Sequence, residues 1–142
     1  MRSPSVQLRV TPLGDVELLS THDQVRGGPS GQSYLGCWFP ADIADATAIS
    51  AEAKVIGARL AREGVIGRFA IDFVSVRDAA GGWSSYAIEL NLRKGGTTRS
   101  FLTLQFLTDG RYDTPSGLFL TAEGTRSTSS RRTTSRRRAC GR

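Results

Sequence analysis

Glu89, Asn91 and Arg93 occupy alternate positions in the run Tyr86-Ala-Ile-Glu-Leu-Asn-Leu-Arg93. Asp72 opens a second alternating run, Asp72-Phe-Val-Ser-Val-Arg77, on the other side of a Gly81-Gly82 turn. Strand side chains point to opposite faces with a period of two. Glu89, Asn91 and Arg93 therefore share one face, and Ile88, Leu90 and Leu92 line the other. The two runs read as an antiparallel hairpin, and its register decides where Asp72 goes. A turn centred on Ala80-Gly81 gives an odd register and sets Asp72 directly opposite Glu89. Two residues further along, an odd register sets it opposite Asn91. An even register would turn Asp72 onto the Leu90 face, and burying that face would strand a carboxylate among apolar side chains. The odd register is expected.

Two carboxylates on one face repel unless one is protonated or a cation neutralises them. Asp72, Glu89 and Asn91 are three oxygen donors without a thiolate or imidazole, a set that suits a hard cation, Mg²⁺ before Zn²⁺. Arg93 on the same face could hold a phosphoryl oxygen with its fork of donors. Lys94 and the Gly95-Gly96-Thr97-Thr98 loop add charge and backbone N–H groups. Together these parts suit phosphoryl transfer. The bland alternative is the outer face of a hairpin whose charges form solvated pairs of little energetic weight. His22-Asp23-Gln24 has the same two readings, a functional loop or a solvent-exposed histidine. Cys37 and Cys140 stand in unlike contexts and make no metal pattern with the single histidine.

The elements that must position this face can be read around it. Residues 5–10 and 16–20 alternate and are joined by the turn-forming Thr11-Pro-Leu-Gly-Asp15, a hairpin with a loop longer than two residues. Residues 21–32 are polar and Gly-rich, which predicts a loop, and residues 33–39 are a short apolar and aromatic stretch. Over residues 42–63, Ile49, Ala53, Ile56 and Leu60 recur at helical spacing, with Asp42 or Asp45 able to cap and Gly64 suited to the left-handed position beyond the end. This helix should cover one face of a sheet, with Gly57 either a cost or a point of close packing. Residues 67–77 and 84–92 form the central hairpin. Residues 99–108 read as a short helix capped by Thr98 and stopped at Gly110, with a strand as the competing reading. Residues 110–117 are turn-rich and 118–121 a short strand. The whole is an α+β arrangement, an antiparallel sheet with one long and one short helix packed on a face.

At 142 residues the chain suits one domain of ordinary size. It holds no run of about 18 apolar residues and no apolar leader segment, and its cysteine usage points to a reducing, cytoplasmic compartment. The formal charge of +6 is not a property of the body. Residues 125–142 contain seven arginines and no acid, which leaves 12 basic against 13 acidic residues in 1–124, a net of −1. A nucleic-acid reading of the whole chain is therefore disfavoured. The break after Gly124 is abrupt, and the Arg/Ser/Thr-rich segment cannot pack. It reads either as a disordered basic tail or as GC-rich codons taken out of frame, and the second is preferred.

Asp72 followed by Glu89-x-Asn91-x-Arg93 resembles the metal-binding end of the ATP-grasp superfamily. The longer run Tyr86-Ala-Ile-Glu-Leu-Asn-Leu-Arg-Lys-Gly-Gly-Thr-Thr98 is similar to the peptide-ligase branch related to the pheganomycin-forming ligase. It continues in Phe101-Leu-Thr-Leu-Gln-Phe-Leu-Thr108 and Gly110-Arg-Tyr-Asp113. Gly27-Gly-Pro-Ser-Gly-Gln-Ser-Tyr-Leu-Gly36 and Phe39-Pro-Ala-Asp42 fit the same branch, so the resemblance spans about residues 3–124. It implies that Asp72, Glu89 and Asn91 bind Mg²⁺ against ATP phosphates, with Lys94 beside them. Arg93 would stabilise the phosphoryl group passing to a carboxylate, and an amine would then attack the acyl phosphate. It further implies that residues 1–124 are the later part of the second ATP-grasp lobe, inactive without a separate first lobe. The branch often has His-Pro where this chain has Arg99-Ser100, which leaves open where the following helix starts. A non-catalytic, basic-tailed binding protein is the competing reading.

Overall fold

Val6, Leu8 and Val10 alternate with Ser5, Gln7 and Arg9, and this alternation sorts the first strand between two environments. The computed structural model describes residues 1–122 and the backbone of residues 126–127. In it β1 (Pro4–Val10) is the middle strand of a five-stranded antiparallel sheet, flanked by β2 (Val16–Gly27) and β4 (Gly67–Arg77). β3 (Ser33–Trp38) and β5 (Trp83–Asn91) are the edges. A three-stranded sheet of β6 (Arg111–Asp113), β7 (Leu118–Leu120) and β8 (Arg126–Ser127) follows. Apart from Arg126 and Ser127, the basic segment 125–142 read above as a tail lies outside the described residues.

The apolar face carries α1 (Ile43–Arg62). Ile49 and Ala53 are buried against Val6, Leu8, Val10, Phe69, Ile71 and Phe73, with Ile56 and Leu60 packed at the margin. Asp42 caps the helix, its Oδ1 accepting from the Ala44 N–H at 3.1 Å, and Gly64 takes φ +80° just past the end. Gly57 is the close-packing point. A Cβ there would stand 2.7 Å from Val16 Cγ1, so the bare backbone lets helix and sheet approach. Arg2 ties the N-terminus in. It donates to Asp45 at 2.6 Å and lies over the Trp83 ring, 4.5 Å from the centroid. Its hydrogen bond to Asp45 raises its pKa further, against the pull of burial.

Three expectations are corrected. Residues 21–27 are not loop, because β2 runs on to Gly27 and pairs with β3. The second helix, α2 (Gly96–Thr108), begins earlier than read, with Gly95 at its cap and Thr98 inside the first turn, where Thr98 Oγ1 accepts from the Gly95 N–H at 3.2 Å. It ends at Asp109, which takes the left-handed conformation with φ 47°, rather than at Gly110. Ile88, Leu90 and Leu92 are not core. They are 58%, 43% and 55% exposed, because α1 lies over the central strands and β5 is an edge. α2 lies against β3, and its Phe101 joins Phe39 and Phe119 in a cluster of edge-to-face rings that docks the small sheet.

Candidate functional site

The second face of the sheet is polar from strand to strand. His22, Ser5 and Asp72 form one row across β2, β1 and β4, since Ser5 pairs with both His22 and Asp72, and Glu89 on β5 continues that row. Asp72 stands directly opposite Glu89, and Ala70 opposite Asn91, as the odd register requires. The route to that register was not foreseen. The turn is centred on Ala80 alone, with Asp78 closing it through bonds to Gly81 and Gly82, so the five pairs from Arg77–Trp83 to Phe73–Ala87 run in the even register. Between Phe73 and Asp72 the register shifts, and Ile88 is the extra residue. Without that bulge Asp72 would face Ile88, and the polar face would be broken. The bulge re-aims the strand end at the site.

Asp72 is 8% exposed and its carboxylate is held on both sides. Gln24 Nε2 donates to Oδ1 at 2.7 Å, Asn91 Nδ2 approaches Oδ2 at 3.5 Å, and Arg26 Nη2 lies 3.9 Å from Oδ2. Arg26 Nη2 also donates to Gln24 Oε1 at 3.0 Å. Glu89 and Arg93 are exposed, and neither side chain has an ion-pair or hydrogen-bond partner among the described residues. All of these side chains line one cleft together with Tyr34 and the start of α2 at Gly95, Gly96 and Thr97. Tyr34 fits over Gly96, where a Cβ would stand 2.8 Å from the ring. The first turn of α2 thus brings unpaired backbone N–H groups to the cleft that Arg93 also borders. Of the five residues singled out in sequence, Asp72, Glu89, Asn91 and Arg93 are brought together. Lys94 is exposed and does not line the cleft.

The donor set fits a hard divalent cation. Among the described residues no three His, Cys, Asp or Glu side chains converge as a metal cluster. Two carboxylates opposite one another and one amide instead leave several positions of an octahedral Mg²⁺ for water or phosphate oxygens, its usual manner of binding. Asn91 turns its amide nitrogen toward Asp72, and a half-turn of χ2 would present the oxygen.

Gln24, Arg26 and Tyr34 were missed. The signal was present as the period-two continuation His22-x-Gln24-x-Arg26, obscured by the Gly27-Gly28-Pro29 composition that follows. His22 itself is not solvent-exposed. It is fully buried, with Nε2 2.8 Å from Ser20 Oγ and 3.1 Å from Gln7 Nε2, Nδ1 3.6 Å from Cys37 Sγ, and its ring 5.0 Å from that of Phe39. Gln7 can only donate from its nitrogen, so Nε2 accepts and Nδ1–H points at the sulfur. Burial lowers the imidazole pKa to about 3, so the ring is neutral. Burial also raises the Cys37 thiol. The Tyr34 phenol is raised by burial first and by its bond to Cys37 second. No helix among the described residues is long and apolar enough to cross a membrane.

Comparison with known proteins places this geometry. Over 94 residues the chain is 38% identical to L-propargylglycine–L-glutamate ligase of Streptantibioticus cattleyicolor, a match covering 66% of this chain and 18% of that ligase. The chain therefore spans about a fifth of the length of that relative. The L-amino acid ligase from Bacillus licheniformis shares the fold over 87% of this chain and 31% of its own, with a TM-score of 0.53 at 18% identity. The biotin carboxylase domain of Hydrogenobacter thermophilus 2-oxoglutarate carboxylase, solved with MgADP, ADP and bicarbonate, shares it over 76% of this chain and 22% of its own. Its TM-score is 0.56 at 16% identity. Residues 2–115 match the IQCH-like ATP-grasp domain over most of the chain, and the chain belongs to that ATP-grasp family.

Proposed function

We propose that the polar face of β4 and β5 is the Mg-ATP end of an ATP-dependent carboxylate–amine ligase that works through an acyl phosphate. One observation carries this reading: Asp72 and Glu89 stand directly opposite one another, with Asn91 and Arg93 on the same face of an open cleft. The family membership and the ligase relative support it. Asp72, Glu89 and Asn91 would hold Mg²⁺, which when bound would offset the charge of the polyphosphate. Arg93, exposed and without a side-chain partner among the described residues, would give its donors to the phosphoryl oxygens, and Lys94 would add positive charge nearby. The start of α2 would offer backbone N–H groups to an anionic group of the substrates. The carboxylate would take the phosphoryl group and the amine would displace it, forming the amide. The 142-residue chain by itself is expected to bind Mg-ATP in the millimolar range and to make no amide.

Titration of the chain with Mn-ATP, followed by paramagnetic broadening of assigned amide signals, tests the site. Broadening should centre on Asp72, Glu89 and Asn91. Glu89→Ala or Asp72→Ala should weaken binding by about 100-fold, as expected when a ligand of the cation is lost. Broadening elsewhere, or broadening that survives both substitutions, would overturn the assignment. Micromolar Mg-ATP affinity, or amine-dependent ADP release by the chain alone, would overturn the claim of weak binding and inactivity.

A further inference from the structure

Among the described residues Arg26 is the one cation seated against Asp72, and its seat is loose. Its Nη2 lies 3.9 Å from Asp72 Oδ2, beyond hydrogen-bonding distance, while the same nitrogen donates to Gln24 Oε1 at 3.0 Å. The firm contact to Asp72 is neutral, from Gln24 Nε2 at 2.7 Å. Glu89 across the strand pair has no cation at all among the described residues. Two carboxylates in one cleft are thus served by a single distant guanidinium.

We propose that Arg26 is a resident counter-ion for Asp72 that yields to a divalent cation and then turns to the anionic ligand the cation carries. The inference rests on the Mg²⁺ reading above and adds a role for a residue of β2 in that site. Asp72 and Glu89 would hold a dication that carries twice the charge of Arg26, and the guanidinium would be repelled from it. The Arg26 side chain is 31% exposed and makes no direct hydrogen bond to Asp72, and a bound cation would take over its charge, so giving up this pair costs little. Gln24 keeps its bond to Asp72 Oδ1, so the carboxylate stays aimed while Oδ2 is freed. Arg26 then stands on the β2 side of the cleft and Arg93 on the β5 side, both with free donors for phosphate oxygens. Arg26 is a positioning residue in the empty site and a ligand contact in the filled one.

The two roles have opposite signs in one experiment. Binding of Mn²⁺ alone, by paramagnetic broadening of the Asp72 and Glu89 amides, and of Mg²⁺-tripolyphosphate, by chemical-shift changes of the same amides, is measured on the 142-residue chain and on its Arg26→Ala and Arg26→Gln variants. Removing the competing charge should tighten Mn²⁺ about 3- to 10-fold, and removing the phosphate contact should weaken the polyphosphate about 10-fold. Arg26→Lys should keep part of both effects. Gln24→Ala should weaken both ligands, since it loosens Asp72. Unchanged or weaker Mn²⁺ binding in both charge-removing variants, with Mn²⁺ still seated at Asp72 in the parent chain, overturns the counter-ion role alone. Absence of Mn²⁺ effects at Asp72 in the parent and in every variant overturns the metal site itself, and the proposal falls with it.

Discussion

Two polar clusters lie on the same face of the same sheet, joined through Ser5, and they have opposite characters. Around His22 the ring is matched on both nitrogens: Gln7 and Ser20 meet one, Cys37 the other, and Phe39 covers the ring, while Ser5 Oγ at the junction is buried without a hydrogen-bond partner among the described residues. Around Asp72 the matching stops halfway. Asp72 is held by Gln24, but Glu89 and Arg93 face the cleft without side-chain partners among the described residues. The first cluster is under the aromatic layer that docks α2 and the small sheet, and the second is beside it. A buried polar group left unmatched costs about 1–3 kcal/mol, so the covered imidazole has to be satisfied internally, whereas water can serve the open carboxylates until a ligand arrives. The open cluster therefore has unused binding capacity and the closed one stability.

That contrast can be broken at either end. His22→Ala should cost the most, about 3 kcal/mol in urea unfolding, because it opens a cavity and leaves Gln7, Ser20 and Cys37 without their shared partner. A loss below about 1 kcal/mol would show that the cluster is not as closed as its geometry implies. The pH dependence has a defined sign. The folded pKa is about 3 against an ordinary 6.5, so between these values the unfolded chain takes up a proton that the folded chain refuses. The His22 contribution is complete above pH 6.5 and is lost as pH falls toward 3, with a slope approaching about 1.4 kcal/mol per pH unit. His22→Gln should remove that slope, and a difference between the two stability profiles that does not vary with pH would contradict a neutral buried ring. Ser20→Ala should cost about 1 kcal/mol, one hydrogen bond of the set. Glu89→Gln should change stability by less than about 0.5 kcal/mol while weakening Mn-ATP. A large stability loss there would mean that Glu89 has a structural partner and that the open cluster is not open.

Much of this was legible in the chain. Period-two alternation gave β1, β4 and β5, and the 3.6-residue recurrence of Ile49, Ala53, Ile56 and Leu60 gave α1, because each periodicity matches one backbone geometry. Glu89, Asn91 and Arg93 were found for the same reason, since parity along a strand is local, whereas the position of Asp72 opposite Glu89 depends on the bulge at Ile88. What failed was non-local. β2 beyond Ser20 has loop-like composition and is a strand only because β3 folds back to pair with it. Ile88, Leu90 and Leu92 have the pattern of a buried face and are half exposed, because burial depends on how far α1 reaches.

The sequence by itself determined that Glu89, Asn91 and Arg93 share one face of β5. Only the tertiary structure decided that the face stays continuous. The turn sets an even register, and a bulge at Ile88 shifts it before Asp72, so that Asp72 joins the face of Glu89. Only the tertiary structure, too, brought Gln24 and Arg26 from some 50 residues away in sequence to the same carboxylate, because β1 pairs with β2 on one side and β4 on the other.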